Sequence, residues 1–279
     1  YAAGKRCSQD LYVRVPLDGV KDVLTICGVN DASLASVCTS MPEAMKHSLA
    51  ERFAACFHSD PLQHRNTVSN PLEMPYETLH FSWYNRHCTR GQDAPTDTPP
   101  LMMRRTGWSR TNHAQFLPYT SKDMADNSMV YESLKNLLDD IFMWIDQKLE
   151  FMLPPEYEHL QTIVSILPDS NASPVHPFVG LVVNLNVITT AHRDSKDDTV
   201  CLVLALGDFE EGELCLYEPG LVIPLQHGHF VVFPSCDITH FNLHYRGRRA
   251  SIVLHMDREM SKWADSDRNR WNSNVHFTK

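Results

Sequence analysis

The chain has 279 residues, with 25 Lys+Arg against 34 Asp+Glu and a formal charge of −9. Apolar residues make up 43% and charged residues 21%, the balance of a globular protein that can bury a large core. No apolar run approaches the roughly 18 residues of a membrane span, and the net acidity argues against diffuse binding to nucleic acid without excluding a local basic patch.

The start, Tyr1-Ala-Ala-Gly-Lys-Arg6, lacks the basic-then-apolar pattern of a secretory signal. Eight scattered cysteines without a C-x-x-C pair predict reduced thiols in a cytosolic or nuclear protein. Residues 11–15 and 23–27 read as strands joined by the turn Pro16-Leu-Asp-Gly19. Ser40-Met-Pro-Glu43 has the form of a capping box, and Met45, Leu49, Phe53, Cys56 and Phe57 follow at helical spacing, which predicts a helix over 41–57. Residues 58–127 show little periodicity, apart from a strand-like 78–84, and a loop of that length is usually functional or disordered. An apolar stripe from Val130 to Met152 predicts one long helix over 129–152.

From about residue 161 short β-rich runs take over: 161–167, 179–189, 199–206, 213–218, 221–225, 229–234, 238–245 and 249–256. Turn signals separate them, among them Gly207-Asp208, Glu218-Pro-Gly220, His227-Gly228 and Arg246-Gly247. Short strands at this spacing suggest a sandwich or jelly roll. The expected fold is α+β, a single domain over 1–279 whose helices pack outside the roll.

Fifteen histidines make a metal site the first thing to test. An H-x-D tripeptide puts two ligands on one face of an extended segment, yet chance alone predicts about one in this composition. Three occur. His58-Ser-Asp60 leads into loop-like sequence, and His255-Met-Asp257 has only His276 beyond it. His192-Arg-Asp194 ends the strand-like run 181–188 and is followed by further strands carrying His240. An iron(II) centre that activates dioxygen takes two His and one carboxylate on one face of the metal, leaving positions for an oxo-acid and dioxygen. Such an acid needs a cation at its far carboxylate. Arg249 and Ser251 alternate with Val253, so they line the inside of the roll if Val253 points into the core. Arg248 is the fallback if the register slips by one. Arg193 should point away from the metal, His227 and His229 should be exposed, and the acids around Asp194 should be solvated.

The pattern His192-x-Asp194, His240, Arg249-x-Ser251 resembles the iron(II)/2-oxoglutarate-dependent dioxygenases, whose core is a double-stranded β-helix. Tyr84-Asn-Arg-His-Cys88, Leu117–Asp123, Asn184-Leu-Asn-Val187 and Ile238–His244 are similar to fungal members of the TET/J-binding-protein lineage, which oxidises methyl-bearing bases in nucleic acid. The resemblance implies an N-terminal extension over 1–160, a catalytic core over 161–257 and a tail over 258–279. It implies that His192, Asp194 and His240 bind Fe(II), and that Arg249 with Ser251 holds 2-oxoglutarate. With dioxygen, the cosubstrate would be oxidised to succinate and carbon dioxide while a substrate methyl is hydroxylated. Asn184 and Asn186 share a strand face; turned inward, their amides would touch cosubstrate or substrate, and turned outward they would be solvated.

Residues 84–113 carry Arg86, Arg90, Arg104, Arg105 and Arg110 against Asp93 and Asp97, interleaved with Tyr84 and Trp108. Together with the resemblance, this basic, aromatic stretch suggests Arg86, Arg90, Arg104, Arg105 and Trp108 as contacts to methylated DNA, although a charged loop is also commonly just solvated. A duplex substrate requires the target base to be flipped out. The leading expectation is therefore an oxygenase acting on the methyl group of 5-methylcytosine in DNA, in the nucleus if DNA is the substrate and otherwise intracellular, with no membrane partner. Alternatives are the same chemistry on N6-methyladenine, a protein side chain or a small metabolite, and a non-catalytic jelly-roll binding module.

Overall fold

The computed structural model describes residues 12–62, 64–66, 77–82, 121–166 and 173–265. The chain forms two compact units, the first from 1–79 and 182–253, the second from 80–181 and 254–279. Among the described residues no helix is long and apolar enough to cross a membrane, and the six described cysteines form no disulfide.

The first unit holds the roll. Its strands are β1 (Val13–Arg14), β2 (Val23–Cys27), β3 (Ser33–Cys38), β4 (Arg65–Asn66), β7 (Cys201–Glu211), β8 (Leu214–Leu216), β9 (Leu221–Ile223), β10 (Phe230–Phe233) and β11 (His240–Asn242), with most of β5 (Glu77–Ser82, to Leu79), β6 (Gly180–Leu185, from Val182) and β12 (Tyr245–His255, to Val253). A small sheet has the order β1-β9-β8-β11. A large one has the order β2-β3-β10-β7-β12-β6-β5, with β4 paired to β12. Between β7 and β12 the chain alternates from large sheet to small and back twice, which is the jelly-roll winding. Inward residues of both sheets make one core: Ala35, Val37, Cys201, Ala205, Val231 and Phe233 from the large sheet, Leu214, Leu216 and Ile223 from the small. Helix α1 (Glu43–Ala55) packs against β7 and buries Leu49 and Phe53.

The second unit is helical: α2 (Lys122–Asp126), α3 (Ser128–Leu137), α4 (Asp139–Met152), α5 (Pro154–Ile166) and α6 (Arg258–Asp265). Tyr131, Leu134, Ile141, Phe142, Ile145, Leu149, Leu160 and Ile163 are buried. Asp146 on α4 accepts hydrogen bonds from Tyr157 Oη (3.0 Å) and His176 Nδ1 (2.9 Å).

Several elements differ from the sequence reading. The run 161–167 is, over its described residues 161–166, not a strand but the end of α5, and 167 lies outside the described residues. Its Ile and Val content suggested β structure, whereas Pro154-Pro155 is a first-turn helix signal and Tyr157, Leu160, Ile163 and Val164 form a helical stripe. The long helix over 129–152 breaks at buried Leu138. Ser40 makes no capping box; Pro42 is the N-cap, and Ser40 Oγ donates to Asp22 Oδ1 at 2.5 Å. Strand β3, weakly apolar as Ser-Leu-Ala-Ser-Val-Cys, carries no signal, and within the span expected as a tail residues 258–265 form α6. Gly207 and Gly247 are not turns. They lie inside β7 and β12 with φ of +123° and +104°, where a Cβ on Gly207 would collide with the Arg248 carbonyl and one on Gly247 with the Asp208 carbonyl. Glycine is used there for close approach of two backbones.

Candidate metal centre

His192 and His240 are joined by an isolated antiparallel bridge. His192 N–H donates to His240 O (3.1 Å), and His240 N–H donates back to His192 O (2.9 Å). Residues paired in this way present their side chains on one face, and the two rings lie 4.4 Å apart, centroid to centroid. His240 pairs with inward-facing Leu216, so that face is the roll interior. Asp194, two residues from His192, brings its carboxylate to both rings: Oδ1 is 3.6 Å from His192 Nε2, and Oδ2 is 3.3 Å from His240 Nε2. One ligand atom from each of the three residues lies within 4.8 Å of the other two.

The opposite ring nitrogens fix the tautomers. His192 Nδ1 lies 2.7 Å from Thr190 O, and His240 Nδ1 lies 3.0 Å from Ile238 O. A carbonyl only accepts, so each Nδ1 donates, and in the neutral ring Nε2 is the nitrogen that offers a lone pair beside the carboxylate. This is the arrangement that prepares imidazole for a metal. Around it, Phe233 meets His240 edge-on at 4.9 Å. Asp194 N–H donates to Ser235 O (3.0 Å), while Ser235 Oγ donates to Asp197 Oδ2 (2.9 Å). The donor set of two neutral imidazoles and one carboxylate fits a divalent first-row ion such as iron(II).

Arg249 shares a strand face with Val253, and Val253 packs on the roll core. Arg249 therefore points inward, and it is only 3% exposed. Burial lowers its guanidinium well below its ordinary value, to about 10, with Tyr245 and Glu213 acting in the opposite sense. Its cationic carbon lies 5.3 Å from the Phe209 ring centroid and 5.9 Å from that of Tyr245. Its Nε is buried without a hydrogen-bond partner. A buried cation with an unused donor fits an anionic group. Gly212 makes the space: a Cβ there would stand 3.3 Å from Arg249 Nε and 2.9 Å from Tyr245 Cβ. Asn242 Nδ2 donates to Gly212 O at 3.5 Å. Asn242 is two residues along β11 from His240 on the same face, about 7 Å away at strand spacing. This links the arginine's surroundings to the triad.

Arg248 faces the other way, donating to Leu62 O (3.1 Å) and pairing with Asp60. That settles the register and explains Asp60 of the first H-x-D. Buried Ser251 Oγ accepts from Asn184 Nδ2 (3.4 Å), whose Oδ1 accepts from Thr78 Oγ1 (3.1 Å). Asn186 is buried with a left-handed φ of +58°, and its amide donates to Pro61 O at 3.1 Å. Arg86, Arg90, Arg104, Arg105 and Trp108 lie outside the described residues.

Two expectations about surrounding groups are corrected. Asp197, Asp198 and Glu213 are buried rather than solvated, Glu213 in an ion pair with Arg14. His229 is buried and His227 half-buried; His227 bridges Gly207 N–H and Lys46 O. Arg193 pairs with Glu218, whose turn position at Glu218-Pro-Gly220 gives no functional signal. Burial alone would raise the Glu218 carboxyl, yet hydrogen bonds from Thr239 and Arg193 hold it down at about 2.

No protein-family model and no curated protein matches this sequence. Among solved structures, NgTET1 in complex with 5mC DNA is similar over 92% of this chain and 81% of that one, with a TM-score of 0.57 at 13% identity. The chain therefore shares that protein's fold. A 2OG-Fe(II) oxygenase family oxidoreductase from Burkholderia pseudomallei aligns over 29% of this chain and 44% of that one (TM-score 0.26, 24% identity). A Pseudomonas putida prolyl-4-hydroxylase aligns over 80% and 92% (TM-score 0.38, 13% identity). Both superpose too loosely to bear on the architecture.

Proposed function

We propose that this chain is an iron(II)/2-oxoglutarate-dependent dioxygenase. The observation that carries the reading is the convergence of His192 Nε2, His240 Nε2 and the Asp194 carboxylate, with both Nδ1 atoms turned to backbone carbonyls. These three residues would hold Fe(II). Bound there, iron supplies the activation of dioxygen that couples oxidation of 2-oxoglutarate to hydroxylation of a substrate C–H bond. The protein's part is positional. Thr190 O and Ile238 O hold both Nδ1–H groups and so turn both Nε2 atoms to the site, Ser235 O anchors the backbone of Asp194, and Phe233 meets His240 edge-on. Arg249 Nε, buried and lacking an acceptor, would bind the far carboxylate of 2-oxoglutarate in the space Gly212 leaves.

For the substrate we propose the methyl group of 5-methylcytosine in DNA. The fold shared with NgTET1, whose structure contains 5mC DNA, supports this choice, as does the basic, aromatic stretch 84–113 in an otherwise acidic chain. The test is incubation of methylated duplex with Fe(II), ascorbate and 2-oxoglutarate, followed by mass spectrometry of the nucleosides and assay of succinate. Loss of 5-methylcytosine with gain of its oxidised forms supports both parts. Succinate formation that methylated DNA does not stimulate, with unchanged bases, keeps the chemistry and removes the substrate. No succinate under any condition removes both.

A further inference from the structure

The His192–His240 bridge is isolated: His240 opens β11 and is laddered to β8, but the segment of His192 belongs to no strand and meets β11 through this one reciprocal pair of backbone hydrogen bonds. Successive residues of an extended segment point to opposite faces. The residues behind the three inward ligands are Arg193, between His192 and Asp194, and Thr239, just before His240. These two are tied together on the outer face. Arg193 Nε donates to Thr239 Oγ1 at 3.0 Å, and Thr239 Oγ1 donates to Glu218 Oε1 at 2.6 Å. Arg193 Nη2 donates to the same Oε1 at 2.6 Å, closing a ring of three side chains. Glu218 Oε2 accepts the Thr239 backbone N–H at 2.7 Å, and Tyr217 N–H donates to Thr239 O at 2.8 Å, so the turn after β8 is fastened to the approach to β11.

We propose that Glu218, with Arg193 and Thr239, is a positioning network that sets the spacing of His192 and Asp194 against His240. Glu218 touches none of the ligands; it acts through the residues behind them. The inference rests on the metal reading of the triad. The Arg193 and Glu218 side chains are 48% and 39% exposed. An ion pair that exposed contributes little to global stability, so a stabilising role does not account for it. Its acceptor set is also specific. Glu218 receives donors at both oxygens, three of them from a segment and a side chain adjacent to ligands, and an amide at this position would present one donor to another.

The experiment uses the full chain with cobalt(II) as the probe, followed by its visible absorption, alongside thermal melting of the metal-free protein. Glu218→Gln and Thr239→Val are compared with wild type, with His192→Ala as the control. The expected result is melting close to wild type, cobalt affinity lowered about ten- to a hundredfold, and an altered absorption band, the size typical of losing a group that orients metal ligands. Arg193→Gln combined with Glu218→Gln should cost no more affinity than the worse single variant, because the three side chains act as one ring. Folded variants with wild-type affinity and band overturn the network while leaving the metal site standing. Cobalt binding that His192→Ala does not weaken, or no binding by wild type, overturns the metal reading and the network with it. If Glu218→Gln fails to fold, Thr239→Val, which keeps the carboxylate, decides; failure of both to fold overturns the positioning role, because the network then holds the fold itself.

Discussion

Replacing Arg249 by Met should make the ligand-free protein more stable and unable to respond to 2-oxoglutarate. The guanidinium is 3% exposed, and burial lowers it well below its ordinary value, to about 10. At about 1.4 kcal/mol per pH unit, the folded state carries this cation at a cost of about 3 kcal/mol, which persists at neutral pH because the group stays charged. The attraction of Tyr245 and Glu213 is already within that balance. A Met of similar reach would keep most of the packing on Phe209 and Tyr245 and shed the charge, so a gain of about 1–3 kcal/mol is expected, as when other buried charges give way to apolar groups. Urea unfolding followed by tryptophan fluorescence, with and without Mn(II) and 2-oxoglutarate, reads both effects. Wild type should gain about 2.7 kcal/mol at a hundredfold excess of ligand over Kd, and the variant nothing beyond the effect of the metal. Arg248→Met, which breaks a pair with Asp60 and a hydrogen bond to Leu62 O, both away from Arg249, should leave the response to 2-oxoglutarate intact. A ligand-free Arg249→Met that is less stable than wild type by more than about 1 kcal/mol would refute the argument, because the guanidinium would then have a protein partner rather than a reserved anion.

Asp194→Ala should abolish turnover while leaving the melting of the metal-free protein near wild type, since the side chain is 35% exposed and at the end of a bridge; residual coupled turnover would show another carboxylate serving the metal. Gly212→Ala forces a left-handed φ of +76° on an L-residue and crowds Tyr245 and Arg249. A loss of about 1–2 kcal/mol in urea and a weaker thermal shift with 2-oxoglutarate are expected, and a neutral variant would mean the arginine does not occupy that space. His229 is pushed down to about 4 by burial, then by Lys46 and His227, so it is neutral when folded. The unfolded chain binds the extra proton between about pH 6.5 and 4, so stability falls as pH drops through that window, by up to about 3 kcal/mol. His229→Gln should flatten this slope in urea titrations at pH 7, 5.5 and 4.5; an unchanged slope removes His229 as its source.

The inward face of the roll was legible because strand alternation is a rigid rule. His192 and Asp194 are in phase, Arg249 and Val253 are in phase, and burial of Val253 fixes which way both point. What stayed hidden depends on pairing between distant segments. Nothing in Glu218-Pro-Gly220 announces a carboxylate that receives Arg193 and Thr239, because that meeting follows from the β8–β11 register. His229 reads as a turn residue until the neighbours of Gly228 are known, and Asp197 reads as a solvated acid until Ser235 is placed above it. The helix α5 was missed because β-branched content outweighed two first-turn prolines. Gly207 and Gly247 were seen as special, but their use in mid-strand is visible only when β7 and β12 lie side by side.

Those two glycines differ from Gly212 in what blocks a side chain. At 212 the obstacles are side-chain atoms, Tyr245 Cβ and Arg249 Nε and Cδ, which glycine at 245 and a shorter residue at 249 would relieve. At 207 and 247 each obstacle is a carbonyl of the opposing strand, which every amino acid carries. No second-site change can compensate there. A saturation library of this gene should therefore be empty at 207 and 247 under any selection that requires folding. Position 212 should empty only when the selection demands turnover.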